Sequence, residues 1–178
     1  MSALNKEIVL YGIPGSPGVS HGPIFRFLHG DVEVPQYQVS ESEQASELER
    51  FKDAVGITRS QIEEIRKEVA KNLGEKEAGI FDAHLLVLED KALFDDIDKE
   101  IKETGDNIEQ CVYRVTQRYH DYFNQLEDEY LRERAADLKD ISKRLLRNLI
   151  GETAAGTAFL GEPRILVSED LSPSDTAS

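Results

Sequence analysis

The sequence predicts an α+β protein in which an antiparallel helical bundle is inserted into an incomplete α/β domain. Three observations predict it. Residues 40–151 contain no proline and carry apolar residues at helical spacing almost throughout. Proline, glycine and short apolar runs flank that stretch on both sides, which is strand-and-turn chemistry. The links between the helical segments are short, so consecutive helices are expected to run antiparallel. The expected division is residues 1–36 with 152–178 as the α/β part, and 37–151 as the helical part.

The elements follow in order. Ile8-Val9-Leu10-Tyr11 and the run from Pro23 to Leu28 read as strands between turns at Gly12, Pro14, Gly15, Pro17 and Gly18. Ser40 with Glu43 makes a capping-box pattern. Leu48, Phe51, Val55, Ile62, Ile65 and Val69 then recur at spacings of three, four and seven, and Asn72-Leu73-Gly74 ends that helix. A second helix is expected over residues 75–89. Asp90 can cap a third, carrying Leu93, Phe94, Ile97 and Ile101 and stopping at Gly105. Asp106 can cap a fourth, with Ile108, Val112, Val115, Tyr119, Tyr122 and Leu126. The fifth, over 128–151, has acids at its start (Asp128, Glu129) and bases at its end (Lys143, Arg144, Arg147), the order that a helix dipole favours. Leu131, Ala135, Leu138, Ile141, Leu145 and Leu149 form its apolar stripe, and Gly151 is placed to stop it. The run from Pro163 to Val167 is a buried-strand candidate, followed by turn residues.

Composition removes several functions. The formal net charge of −14 on 178 residues repels phosphate backbones, so nucleic-acid binding is not expected; a basic protein partner suits the charge better. Cys111 is the single cysteine, which excludes an intrachain disulfide; it reads as a small core residue. No apolar run reaches the length of a membrane span, and the first residues lack a signal-peptide core, so a cytoplasmic location is expected. No His/Asp/Glu cluster has metal-ligand spacing. His120 and Asp121 are adjacent and are expected on different helix faces. Gly12, Gly15 and Gly18 lack the lysine and the strand–loop–helix order of a phosphate cradle.

Four blocks carry a family resemblance. They are residues 12–18 (Gly-Ile-Pro-Gly-Ser-Pro-Gly), residues 77–90 (Glu-Ala-Gly-Ile-Phe-Asp-Ala-His-Leu-Leu-Val-Leu-Glu-Asp), residues 128–151, and Ile165-Leu166-Val167 with residues 170–176. In this order they resemble the amino-terminal region of the Enzyme I family, the phosphoenolpyruvate–protein phosphotransferases of bacterial sugar uptake. The resemblance implies a helical bundle that docks the phosphocarrier protein HPr. It also implies an α/β phosphohistidine (swivelling) domain, incomplete here, and for the full-length enzyme magnesium and a homodimer formed through its carboxy-terminal part. The family's phosphoacceptor segment, Gly-Gly-x-Thr-Ser-His, does not occur in these residues; the resemblance implies that the phosphoacceptor histidine lies beyond Ser178. The expectation is therefore a chain with no catalytic residue of its own, which neither accepts nor donates phosphoryl alone and has no cofactor of its own.

Carried over position by position, the resemblance implies HPr contacts at Glu75, Gly79, His84, Leu86, Val87, Phe123, Leu131 and Arg134. There is one apparent extra residue near Gly79. Thr176 matches a threonine close to the family's catalytic histidine. From spacing alone, Phe81, Leu85 and Leu88 make the second helix's stripe, with His84 and Val87 beside it; the resemblance turns His84 from a core-edge histidine into an interface residue. Glu75, Glu77, Glu89 and Asp90 form an acidic rim suited to steering a basic partner. His21, His29 and His120 read as ordinary loop or surface histidines. The nitrogen-branch paralogue of Enzyme I is the alternative within the family, and Met1 leading directly into the first strand favours the sugar branch. An adaptor of plain helices is the alternative of another class; it accounts for residues 48–69 but not for the four ordered blocks.

Overall fold

A computed structural model describes residues 8–27, 32–151, 163–169 and 171; the side chains of 130, 131 and 133 lie outside that description. The elements run β1 (Ile24–Arg26), α1 (Glu41–Asn72), α2 (Glu75–Val87), α3 (Lys91–Thr104), α4 (Ile108–Asn124), α5 (Glu129–Ile150) and β2 (Ile165–Val167). β1 and β2 pair in parallel, Ile24 opposite Ile165 and Arg26 opposite Val167. Backbone bonds from Ile165 N to Pro23 O and from Phe27 N to Val167 O extend the pair at both ends, each at 2.9 Å. All five helices therefore lie, in sequence, between two strands that are neighbours in space.

The helix boundaries obey local chemistry. At the start of α1 the Glu43 carboxylate accepts hydrogen bonds from the Ser40 amide at 2.9 Å and its hydroxyl at 2.6 Å, holding that carboxyl below its ordinary value. Asp90 caps α3 by accepting from the Ala92 amide at 2.8 Å. Gly105 ends α3 and Gly151 follows α5, both with left-handed φ, 65° and 82°, a conformation that side chains disfavour.

α4 departs from expectation. Its N-cap is Asn107, not Asp106. The Asp106 carboxylate is engaged by Arg114 at 2.7 Å and by the Gln38 amide, so it is not free to cap. The first amide of α4, Ile108 N, is met instead by Glu47 of α1 at 2.9 Å. A second departure is residues 8–11. They form no strand among the described residues, and their apolar side chains are exposed.

α1 packs on α2 and α5, α3 on α4, and α5 lies against α2 and α4 as well. The core gathers Phe51, Ile62, Phe81, Ile97, Ile101, Ile108, Val112, Val115, Ile141 and Leu145 among others. Val32, Val34 and Val39 pack against it, and residues 35–39 are stitched to the α3–α4 turn. Val39 N donates to Gly105 O at 2.8 Å, and Asn107 N to Tyr37 O at 3.0 Å. Cys111 is buried, and desolvation pushes its thiol up to about 11, which leaves it an inert core residue.

Candidate docking face on the second helix

α2 has two faces. Ala78, Phe81, His84 and Leu88 turn inward and are buried. Gly79, Ile80, Ala83 and Leu86 recur at spacings that share the opposite face. Ile80 is 42 % exposed and Leu86 60 %. Leu73, at the α1–α2 turn, is 70 % exposed. Sequence spacing does not mark Ile80 as a surface residue, because periodicity assigns an apolar residue to the core by default, and it marks Leu73 only as part of a helix stop. Gly79 is half-buried, and a Cβ built on it meets nothing within 4 Å. Leu86 protrudes while Val87 is half-buried against the core.

His84 overturns the placement beside the stripe. Its side chain has no exposed surface. The ring packs edge-on against Phe81 at 5.5 Å, with Nε2 3.3 Å from Asp137 Oδ1 and Nδ1 3.9 Å from Asp140 Oδ2. Two aspartates of α5, absent from any local pattern of α2, draw it inward. In the structure His84 therefore lies behind the exposed side chains of α2.

The acidic rim is partly matched by α1. Arg66 donates to Asp82 at 2.6 Å and to Glu75 at 3.2 Å. Arg59 binds Glu89 at 2.9 Å. The bond from Arg66 holds the Asp82 carboxyl below its ordinary value against the opposing effect of desolvation. Glu75 remains exposed, with a side-chain exposure of 77 %. Asp90 is occupied as the α3 cap.

On α4, Phe123 is half-buried against the core, with its ring edge-on to Tyr119 at 6.2 Å and tilted against Tyr122 at 5.9 Å. The Tyr119 hydroxyl donates to Asp96 at 2.8 Å; burial, then that bond, push it up to about 12. Tyr122 is 62 % exposed beside Phe123. On α5, Arg134 is half-buried. Leu131 lies within α5, but its side chain is outside the described residues. Since α5 touches both α2 and α4, the implied residues fall on three helices linked through α5.

The residue expected next to the phosphoacceptor is not among those the structure describes. Thr176 and Ser178 both lie outside the described residues, so the expectations of a threonine near the catalytic histidine, and of that histidine beyond Ser178, have no structural counterpart here. His21 is exposed and His29 lies outside the described residues. His120 Nδ1 comes within 3.5 Å of Asp121 Oδ1, a contact between side chains of adjacent helical positions. Among the described residues, no group of three His, Cys, Asp or Glu side chains could hold a metal ion. Among those same residues, no helix is long and apolar enough to cross a membrane.

Residues 11–134 match the family model described as "PEP-utilising enzyme, N-terminal", and the chain belongs to that family. It is 39 % identical over 168 residues to the phosphoenolpyruvate-protein phosphotransferase of Listeria monocytogenes, covering 94 % of this chain and 29 % of that protein. Against the protein of the same name from Priestia megaterium it is 36 % identical over 174 residues, covering 98 % and 30 %. The chain therefore spans about three tenths of the length of the curated relatives it matches. Its fold is similar to a solution structure of an Enzyme I protein, with a TM-score of 0.76 at 32 % identity, over 88 % of this chain and 63 % of that one. It is also similar to the "N-terminal domain of Enzyme 1 - Nitrogen", with a TM-score of 0.67 at 27 % identity and the same coverages.

Proposed function

We propose that this chain is the carrier-docking region of a phosphoenolpyruvate–protein phosphotransferase of the sugar branch, and that it works in the cytoplasm. HPr docks on the outer face of α2 with the adjoining parts of α4 and α5. The observation that carries the reading is the exposed apolar face of α2, with Leu86 60 % and Ile80 42 % exposed and Gly79 open beside them. That helix lies in a chain 36–39 % identical to named phosphotransferases. The bundle contributes positioning: it brings the carrier's histidine to a phosphohistidine held elsewhere in the enzyme. Apolar anchors set affinity, and the exposed acids, Glu75 and Glu77 among them, set association rate.

The proposed division is a helical domain inserted into an α/β domain, supported by the parallel pairing of β1 with β2 across the intervening helices. The nitrogen-branch paralogue is the second reading, favoured by the TM-score of 0.67 to its amino-terminal domain.

NMR titration with HPr tests the docking face. Leu86→Asp places an unpaired charge in the contact and is expected to cost about 1–3 kcal/mol of binding. The thermal melt should stay close to the parent's, because Leu86 is 60 % exposed. Parental affinity in the Leu86→Asp protein would place the surface elsewhere.

A further inference from the structure

We propose that His84 is a positioning residue that fixes the register of α2 against α5, and through it the relation between two parts of the docking surface. The functional half of this inference rests on the docking reading above; the structural half rests on geometry alone.

The imidazole has no exposed surface and faces two carboxylates one helical turn apart on α5. Nε2 meets Asp137 Oδ1 at 3.3 Å, and Nδ1 points toward Asp140 Oδ2 at 3.9 Å. Both Nδ1 and Asp140 Oδ2 are buried without a hydrogen-bond partner. A buried polar group with incomplete partners is a poor stabiliser, and an aliphatic side chain of similar volume serves a core at least as well. What the imidazole adds is direction. Apolar contact is non-directional and tolerates sliding. A ring with one nitrogen toward each of two aspartates has one preferred seat along α5. A shift of α2 by part of a turn moves both nitrogens away from their carboxylates.

The seat lies between the implied contact residues. On α2, Gly79 lies before His84 and Leu86 and Val87 after it. On α5, Arg134 lies one turn before Asp137. Arg66 ties α2 to α1 through Asp82 and Glu75, so α1 holds one side of the helix and the His84 seat orients the other.

The test uses the whole chain and four variants: His84→Leu, His84→Gln, the pair Asp137→Asn with Asp140→Asn, and that pair combined with His84→Leu. Two readouts are independent. The first is structural: amide hydrogen exchange along α2, and residual dipolar couplings reporting the angle between α2 and α5. The second is HPr affinity. His84→Leu is expected to keep a cooperative melt, to speed α2 exchange about tenfold and to weaken HPr binding about five- to tenfold. His84→Gln keeps a donor for Asp137 and should recover part of both losses. The asparagine pair should add little in the His84→Leu background, because the two sides of one contact are coupled. Should leucine not be accommodated, the asparagine pair in the parent background supplies the same two readouts. Unchanged α2 exchange and unchanged helix angle in the variants would overturn the proposal, as would fully additive effects. If the parent chain binds no HPr while His84→Leu still loosens α2, the docking reading falls and the positioning role stands. If the parent binds and His84→Leu behaves like it in both readouts, the positioning role falls and docking stands.

Discussion

Two of the buried polar clusters among the described residues are built on opposite terms. At the base, Asn107 is fully buried. Its Nδ2 donates to Pro35 O at 3.0 Å and to Glu109 Oε2 at 2.7 Å, and its Oδ1 accepts from Tyr37 N at 3.0 Å. Arg50 joins Glu47 and Glu109 and reaches Leu149 O at 3.3 Å. Each of these side chains has partners, and the cluster ties the incoming segment to α1, α4 and the end of α5. On the seam between α2 and α5, His84 has one bonded carboxylate, and two buried atoms go without partners. A fully satisfied network rigidifies; a partly satisfied one contributes less stability and is more easily disturbed. The difference separates a splice that holds the fold from the contact proposed above to orient the docking face.

The largest test of that contrast removes the segment that the base cluster holds. A polypeptide of residues 32–151 should show a cooperative helical melt. One of residues 40–151 should lose more than about 3 kcal/mol of that stability, because Val32, Val34 and Val39 leave the core and Asn107 loses its backbone partners. Equal melts would show that the bundle ends at its first helix.

Asn107→Ala in the whole chain is the next largest. It leaves Tyr37 N and Pro35 O without their side-chain partner, at a cost of about 2–3 kcal/mol by chemical denaturation. An unchanged midpoint would mean that the base cluster is no splice.

Acid probes a neighbouring satisfied group. Burial raises the Glu100 carboxyl, but bonds from Arg114 at 2.7 Å and Arg118 at 2.6 Å outweigh it and leave it below its usual 4.5. A carboxyl lowered on folding contributes stability above its unfolded value, and that contribution disappears as pH falls through the folded one. Denaturation midpoints compared at about pH 6 and about pH 3 should therefore fall less for Glu100→Gln than for the parent. An identical acid loss in the two proteins would remove Glu100 from the account.

The smallest expected effect is at the seam. Asp137, with a side-chain exposure of 19 %, is already partly hydrated. Asp137→Asn should change stability by less than about 1 kcal/mol while leaving the helical circular dichroism intact. A loss as large as that at Asn107 would make the two clusters alike and erase the contrast.

Much of the fold was legible because its signals are local. Capping residues, apolar spacing and terminal glycines lie within one or two turns of what they specify, and all five helices appear where those signals place them. The strands at residues 24–26 and 165–167 were legible as types, from short apolar runs between turns. The run at residues 8–11 carries the same letters but forms no strand among the described residues; local letters do not specify which segment receives a strand's backbone bonds.

The residues that proved non-local were those whose partners come from far along the chain. Asp106 had the letters of a cap, yet Arg114 and Gln38 claim it, and Glu47 supplies the acceptor at Ile108. His84 had the spacing of a flank, yet Asp137 and Asp140 draw it fully inside. By itself the sequence determined the helices, their ends and their apolar faces, since those follow from backbone geometry within a few residues. Which polar side chains were buried and which face stayed open was decided by the tertiary structure, because polar burial depends on partners that only packing brings together.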